Sequence, residues 1–462
     1  MEINSECSKE AIEFVQELNH TKREPLKYFV RSYGCQQNFA DSERIAGLLE
    51  LMGCAEAANV TESDIIIFNT CGVRHTANER VFGNIGALKL LKRKNKALII
   101  GVCGCMVEQQ GVADGILKRF SFVNMVFGTN LIHMLPEFIF RVITKKEKIL
   151  QTKLNDEIFE GLPVKRSVGP ICQIPIMYGC DNFCSYCVVP YVRGRERSRE
   201  PEHIIAEVKE AIAQNKKEIL LLGQNVNSYG KGLAEDINFA KLLQMVAELK
   251  GDFRIRFLTS HPKDMSDELL EVIAKNKKIC RHIHLPLQSG SNEVLKNMNR
   301  NYTREKYLEL IDKIKAKLPG CSLSSDIIVG FPGETRQDFE QTLELIKQVE
   351  FAFLFMFLFS KRPGTAAEKL PDIVPNSLKK AWFAELVKLQ EEIGAKKHRE
   401  QIGKEKLVLP DHFKAENGKI VLVGKCDQNF LVEFEGTESM VNEFTRVKIT
   451  KAHRRSLWGQ II

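Results

Sequence analysis

From residue 27 to about 145, short apolar runs alternate with stretches whose apolar positions recur at helical spacing. KYFVRSY, DIIIFNT, ALIIGV and FVNMVFG read as strands, and ADSERIAGLLELM and ANERVFGNIGALKLLKR between them read as amphipathic helices. That alternation predicts a doubly wound parallel α/β sheet. Residues from about 145 to 168 are charged and weakly periodic, which reads as a linker.

A second series follows, with expected strands ICQIPIMY, EILLLG, RIRFLTS, HIHLPL, SLSSDIIVG and FAFLFMFLF, each trailed by a loop and a helical pattern. Six such units are too few for a closed eight-unit barrel, so an open, partial (βα)6 barrel is expected. Phe351 to Phe359 is apolar on both faces over strand length, which predicts a buried parallel strand. A helix from about Ser377 to Arg399 closes the region. The last 60 residues change character: KLVLP, KIVLVGKC, FLVEFEG and RVKITKA are short, alternating and separated by Gly, Asn or Asp, as in a small antiparallel β-barrel. The expected domains are therefore residues 26–143, 166–397 and 399–462, an α/β multidomain protein.

Composition narrows the class. In 462 residues, 44% are apolar and 27% charged, which excludes a disordered tail, a collagen repeat and a small disulfide scaffold. The N-terminus has no basic segment leading into an apolar one, and the longest apolar run is nine residues, too short for a membrane helix. A cytoplasmic protein without a membrane partner is the expectation. Thirteen cysteines then suggest metal ligands rather than disulfides.

Three of them form Cys180-x3-Cys184-x2-Cys187 in YGCDNFCSYC, directly after an expected strand. Structural zinc sites generally supply four ligands, whereas three thiolates on one loop leave a metal position open. A second set is spread out: Cys35 (YGCQQN), Cys71 (NTCGVR) and Cys105 (CGCMVE) each follow an expected strand, 36 and 34 residues apart. Parallel strands point the same way, so residues at three strand ends share the rim where open α/β sheets bind ligands. Cys103 competes with Cys105, and strand alternation does not choose between them. A zinc knuckle completed by a distant His is the competing reading of the first set.

The spacing of Cys180, Cys184 and Cys187 resembles the CxxxCxΦC signature of radical S-adenosylmethionine (SAM) enzymes, with Tyr186 in the aromatic position. The resemblance implies a [4Fe–4S] cluster whose free iron chelates SAM and whose electron yields a 5′-deoxyadenosyl radical. Over nearly its whole length the chain further resembles the methylthiotransferases: YGCQQNFADSERI, FNTCGVRHTANERVFGNIG, CDNFCSYCVVPYVRGRERSRE, LLGQNVNSYG, HLPLQSGSNEVLKNMNRNYTRE, SDIIVGFPGET and RPGTAA occur in family order. The final segment is similar to the TRAM domain, an RNA-binding barrel. One departure is Gln37, where the family pattern has Met.

This likeness implies two [4Fe–4S] clusters and SAM, with Cys105 rather than Cys103 in the auxiliary set. It also implies methylthiolation at C2 of an isopentenylated adenosine beside the tRNA anticodon, an electron donor such as a flavodoxin or ferredoxin, an unidentified sulfur donor and a monomer. C2–H of adenine is neither acidic nor electrophilic, so a radical and not a general base must remove it. Threonylcarbamoyladenosine in tRNA and a ribosomal-protein aspartate are the alternative substrates. A non-catalytic metal- and RNA-binding protein is the alternative class.

Gly223, Gly330, Gln288, Ser289 and Asp326 are candidate SAM contacts at strand ends, with turn or capping roles as the alternative. His282 and His284 alternate on a strand and read as satisfied core or rim residues. Arg193, Arg195, Arg197 and Arg199 follow the cysteine loop, where substrate phosphates could approach. From Arg446 to Arg455 five basic residues (Arg446, Lys448, Lys451, Arg454 and Arg455) stand without an acid, a phosphate-binding face on the terminal barrel. Anticodon-loop bases are single-stranded and can be splayed out without opening a duplex. The net charge of +8 is thus concentrated in two places. The remaining cysteines, Cys7, Cys54, Cys103, Cys172, Cys280, Cys321 and Cys426, read as small apolar residues.

Overall fold

Apolar runs without a polar break become central strands: all six residues of Ile65–Thr70 and all six of Ile99–Gly104 are buried. The computed structural model describes residues 6–72, 75–152, 157–234, 236–416 and 418–462, without the side chains of residues 6, 7 and 75–79. The chain falls into two units. The first takes residues up to Ser167 with Tyr178–Asp181 and Cys187–Arg197; the second takes Val168–Met177, Asn182–Tyr186 and Ser198–Ile462.

The first unit runs α1 (Glu6–Thr21), β1 (Lys27–Ser32), α2 (Gln36–Leu51), β2 (Ala55–Glu56), β3 (Ile65–Thr70), α3 (His75–Lys94), β4 (Ile99–Gly104), α4 (Val112–Arg119), β5 (Met125–Phe127), α5 (Leu135–Lys145) and β6 (Ile149–Gln151). The strands form one parallel sheet in the order β2-β1-β3-β4-β5-β6. Alternation sorts the two faces. Ile65, Ile67 and Ile99 pack with Leu48 of α2 and Phe138 of α5, whereas Ile66, Phe68, Ile100 and Val102 pack with Ile85 of α3 and Ile116 of α4. Strand order reverses between β1 and β3. The segment read as a linker supplies β6, paired in parallel with β5; three residues are too few to show a strand period.

The chain continues with β7 (Ile171–Pro175), β8 (Met177–Tyr178), α6 (Val189–Arg193), β9 (Arg197–Ser198), α7 (Pro201–Ala213), β10 (Glu218–Leu222), α8 (Phe239–Glu248), β11 (Arg254–Leu258), α9 (Asp267–Lys275), β12 (His282–His284), α10 (Asn292–Asn297), α11 (Arg304–Lys317), β13 (Ser322–Val329), α12 (Arg336–Val349), β14 (Phe353–Leu358) and α13 (Asn376–Arg399). The partial barrel consists of two parallel three-stranded sheets, β11-β10-β7 and β12-β13-β14, around one shared core. Strand β14 corrects an expectation. Among the described residues it pairs only with β13, so Phe355, Phe357 and Leu358 are exposed rather than buried on both faces. An edge strand has one neighbour, and a local apolar pattern does not reveal that.

Strands β15 (Glu405–Glu416), β16 (Lys419–Cys426), β17 (Leu431–Glu435), β18 (Thr445–Ala452) and β19 (Leu457–Ile461) close a barrel in the order β15-β16-β17-β19-β18. Strand β19 was not legible in the sequence: LWGQI has no clear alternation. This barrel is fastened to the floor of the larger one. Glu218 accepts from Arg254 Nε (2.7 Å) and Arg256 Nε (3.1 Å), and the same arginines donate to the carbonyls of Lys425 (3.0 Å) and Cys426 (3.1 Å). Burial would raise the Glu218 carboxyl, but Arg256 and Arg254 hold it down at about 2. Among the described residues no helix is long and apolar enough to cross a membrane.

Candidate functional site

In the first unit, Cys35 is the N-cap residue of α2, Cys71 follows β3 and Cys105 follows β4. All three therefore lie beyond the carboxyl ends of their strands, two of them beside the point where strand order reverses, the usual ligand crevice of such sheets. Close backbone packing brings them together. A Cβ on Gly34 would lie 2.5 Å from Cys71 Cβ and 2.8 Å from its Sγ; a Cβ on Gly72 would lie 3.2 Å from Cys105 Cβ. A Cβ on Gly104 would lie 2.3 Å from the Thr70 carbonyl, so the β4 end rests directly on the β3 end.

Polar residues of α2 fix the rim. Asn38, fully buried, donates to the Thr70 carbonyl (2.8 Å), and Asn69 donates back to the Asn38 carbonyl (2.8 Å). Asn38 Oδ1 also lies 3.4 Å from Cys35 Sγ and 3.9 Å from Cys105 Sγ. Burial pushes the Cys105 thiol up to about 12; Arg193 opposes that rise, while Cys35 and Cys71 add to it. Cys103, which also lies within electrostatic reach of Cys105, is fully buried in the apolar cluster with Phe127 and Phe138.

The other three cysteines occupy the loop between β8 and α6. Cys180 and Cys184 are buried and Cys187 is half-buried; none of the three is in a disulfide. Phe183 adopts φ +46, a left-handed conformation that a bulky residue takes only where its surroundings enforce it. In the second unit, residues 297–300 clamp this stretch. Ser185 N donates to the Met298 carbonyl (3.0 Å), Ser185 Oγ to the Asn297 carbonyl (2.8 Å) and Asn299 Nδ2 to the Phe183 carbonyl (3.0 Å). Arg300 Nη1 donates to Cys184 Sγ (3.3 Å). Asn38, Asn299 and Arg300 escaped the sequence reading, because a clamp made through tertiary contact leaves no local spacing.

Other candidates are placed differently. Tyr186 packs against the cluster formed by Val294, Met298 and Phe331. Gln288 sits at φ +73, its N–H donating to the Asp326 carbonyl at 2.8 Å. Asp326 lies 3.5 Å from His284, and His282 Nε2 and His284 Nδ1 both bond Ser324 Oγ at 2.9 Å, while the buried Nδ1 of His282 has no partner among the described residues. The fully buried Ser289 hydroxyl lies 3.3 Å from Thr342 Oγ1. A Cβ on Gly223 would lie 2.5 Å from the Met177 side chain, and one on Gly330 2.5 Å from that of Lys379.

Arg193 and Arg199 of the arginine run are both 4% exposed and turned toward protein partners. Arg193 pairs with Asp41 (2.7 Å), and Arg199 with Glu207 (2.7 Å) and the Pro175 carbonyl. Arg195 is exposed and pairs with Asp181, while Arg197 donates to the Arg193 carbonyl. On the terminal barrel Arg446 and Lys448 alternate outward along β18, Lys451 is exposed beyond a register shift in the same strand, Arg455 is exposed, and Arg454 pairs with Glu391. Of the cysteines outside the two sets, Cys54, Cys103, Cys172, Cys280 and Cys426 are buried and Cys321 is half-buried; the side chain of Cys7 lies outside the described residues.

Each thiol set suits an iron–sulfur cluster: reduced sulfur donors in a protected setting, one of them in each set receiving a hydrogen bond from a buried guanidinium. Among the described residues no three Cys, His, Asp or Glu side chains are gathered as the ligands of a single ion would be.

The model of the Radical SAM superfamily matches residues 174–346, and that of a family described as uncharacterized, UPF0004, matches residues 27–128. Among solved structures the fold resembles the radical SAM methyltransferase TsrM from Kitasatospora setae (TM-score 0.55, 13% identity, covering 85% of this chain and 79% of that one). It also resembles the cobalamin-dependent SAM radical enzyme OxsB (TM-score 0.53, 11% identity, covering 90% and 68%). Two curated relatives are each 48% identical to this chain, one from Caldicellulosiruptor saccharolyticus (94% of this chain, 92% of the relative) and one from Clostridium beijerinckii (94% and 95%). Both are named tRNA-2-methylthio-N(6)-dimethylallyladenosine synthase. With that identity over nearly its full length, the chain belongs to the family of tRNA-2-methylthio-N(6)-dimethylallyladenosine synthases, which are radical SAM enzymes.

Proposed function

We infer that this chain is a tRNA methylthiotransferase that converts N6-(dimethylallyl)adenosine beside the anticodon to its 2-methylthio derivative. The observation that carries this beyond a generic radical SAM enzyme is the second three-cysteine set. Cys35, Cys71 and Cys105 meet on one rim, a site that the hydrogen-abstracting chemistry alone does not require. In this reading Cys180, Cys184 and Cys187 hold the SAM-binding [4Fe–4S] cluster and Cys35, Cys71 and Cys105 hold the auxiliary one. When bound, these groups and SAM supply removal of the C2 hydrogen and delivery of the methylthio group.

The chain's own residues position and protect. Asn38 and Asn69 lock the strand ends that present the auxiliary thiols, and residues 297–300 fix the loop that presents the others. Outward-facing Arg446, Lys448, Lys451 and Arg455 support binding of tRNA phosphates by the terminal barrel. A one-electron donor of flavodoxin or ferredoxin type completes the reaction, and the chain acts as a cytoplasmic monomer. The test is mass spectrometry of tRNA nucleosides from a strain lacking the gene. Dimethylallyladenosine should accumulate without its 2-methylthio form, and the chain should restore it; an unchanged profile would refute the assignment.

A further inference from the structure

Two buried arginines stand in corresponding places at the two cysteine sets. Arg193, 4% exposed, donates Nε to Cys105 Sγ (3.2 Å), while its Nη2 donates to Asp41 Oδ2 (2.7 Å) and Asn38 Oδ1 (3.1 Å). Arg300, 7% exposed, donates Nη1 to Cys184 Sγ (3.3 Å) and Nη2 to the Pro286 carbonyl (3.0 Å), and its Nε lies 3.2 Å from the Tyr302 hydroxyl. They differ in one respect. Arg193 has a carboxylate counter-charge, whereas among the described residues no carboxylate pairs with Arg300: its other partners are a carbonyl and a phenol.

A guanidinium kept out of water with no anion is costly, and that cost is relieved when negative charge arrives beside it. A thiolate-ligated iron–sulfur cluster brings such charge, and more of it when reduced. Hydrogen bonds to ligand sulfurs and net nearby charge are among the factors that set cluster potentials. We propose that Arg300 and Arg193 are positioning residues for the two clusters, each orienting one ligand sulfur and easing reduction of its own cluster. Arg300 acts with a full positive charge and Arg193, neutralised by Asp41, acts through its hydrogen bond alone. The SAM-binding cluster, which must accept an electron to break SAM, thereby receives the stronger assistance. This rests on the assignment of a cluster to each three-cysteine set.

The test uses full-length protein reconstituted without oxygen. Redox titration followed by electron paramagnetic resonance should show that Arg300→Gln lowers the potential of the SAM-binding cluster and leaves the auxiliary one in place. The expected loss is about tenfold in the reduction equilibrium, which is about 59 mV for one electron. Arg193→Gln should lower only the auxiliary potential, and by less. Arg300→Lys, which keeps the charge, should recover most of the loss. A second measurement needs no variant. In wild-type protein carrying 15N-labelled arginine, each reduced cluster should show hyperfine coupling to an arginine nitrogen. Intact iron content with unchanged potentials, or no arginine coupling at either cluster, would overturn the proposal. Failure to load two clusters into the wild-type chain would instead overturn the cluster assignment beneath it.

Discussion

Gly34→Ala perturbs the auxiliary site through the backbone without touching a ligand. Gly34 has φ +114, where an L side chain is strained, and its Cβ would come within 2.5 Å of Cys71 Cβ and 2.8 Å of Cys71 Sγ. The backbone strain is worth about 1–3 kcal/mol and the overpacking about 1–3 kcal/mol more. Together these amount to roughly 2–6 kcal/mol, or a fall on the order of 10 °C in the melting temperature of a unit of this size. Cys71 must also leave its place between Gly34 and Cys105, so about half the iron should be lost while SAM cleavage persists. Gly83→Ala is the control. It lies inside α3 with nothing within 4 Å of the added carbon, so it should raise stability by up to about 1 kcal/mol and leave iron unchanged. Calorimetry and iron analysis read both variants. A Gly34→Ala protein with wild-type melting and full iron would refute the claim that close packing at this glycine shapes the auxiliary site.

Cys184→Ala should abolish 5′-deoxyadenosine formation from SAM, whereas Cys71→Ala should keep some of it and make no methylthio product; equal, complete loss in both would contradict the division of labour. Glu218→Gln leaves Arg254 and Arg256 without their buried counter-charge, a change that costs about 3–5 kcal/mol and should appear as early denaturant unfolding. The Glu218 carboxyl sits at about 2 against an ordinary 4.5, so its stabilisation, about 3 kcal/mol, is present above pH 4.5 and lost as pH falls toward 2. The Gln variant should therefore show a flatter acid limb than wild type. Replacing Arg446 and Lys448 with Glu should weaken tRNA binding and lower the slope of log affinity against log salt by roughly 1.4 if each meets one phosphate of a single strand. SAM cleavage without tRNA should not change.

Much of this architecture was legible because it rests on period and residue type. IIIFNT and ALIIGV are strand-like whatever surrounds them, and parallel strands carry Cys35, Cys71 and Cys105 to one rim by topology alone. Relations made only in three dimensions were not legible. The alternating Arg193, Arg195, Arg197 and Arg199 suggested one outward face, but Arg193 ends helix α6 and the chain turns at Gly194, so the period-two logic fails there. Arg193 is drawn inward by Asp41, a residue of α2 more than a hundred positions earlier. Arg300 matters because residues 297–300 lie against the cysteine loop, and nothing in LKNMNR announces that. The exposure of Phe355 and Phe357 depends on β14 being an edge strand, which is a property of the sheet and not of the nine-residue run.

The central claim is that two separate three-cysteine sites each hold a cluster. Iron and sulfide analysis of the anaerobically reconstituted chain tests it directly, with Cys103→Ala and Cys105→Ala alongside. Two [4Fe–4S] clusters require about eight irons in the wild type and in Cys103→Ala, and about four in Cys105→Ala. Four irons in the wild type, or loss of half the iron on replacing Cys103 and not Cys105, would contradict it.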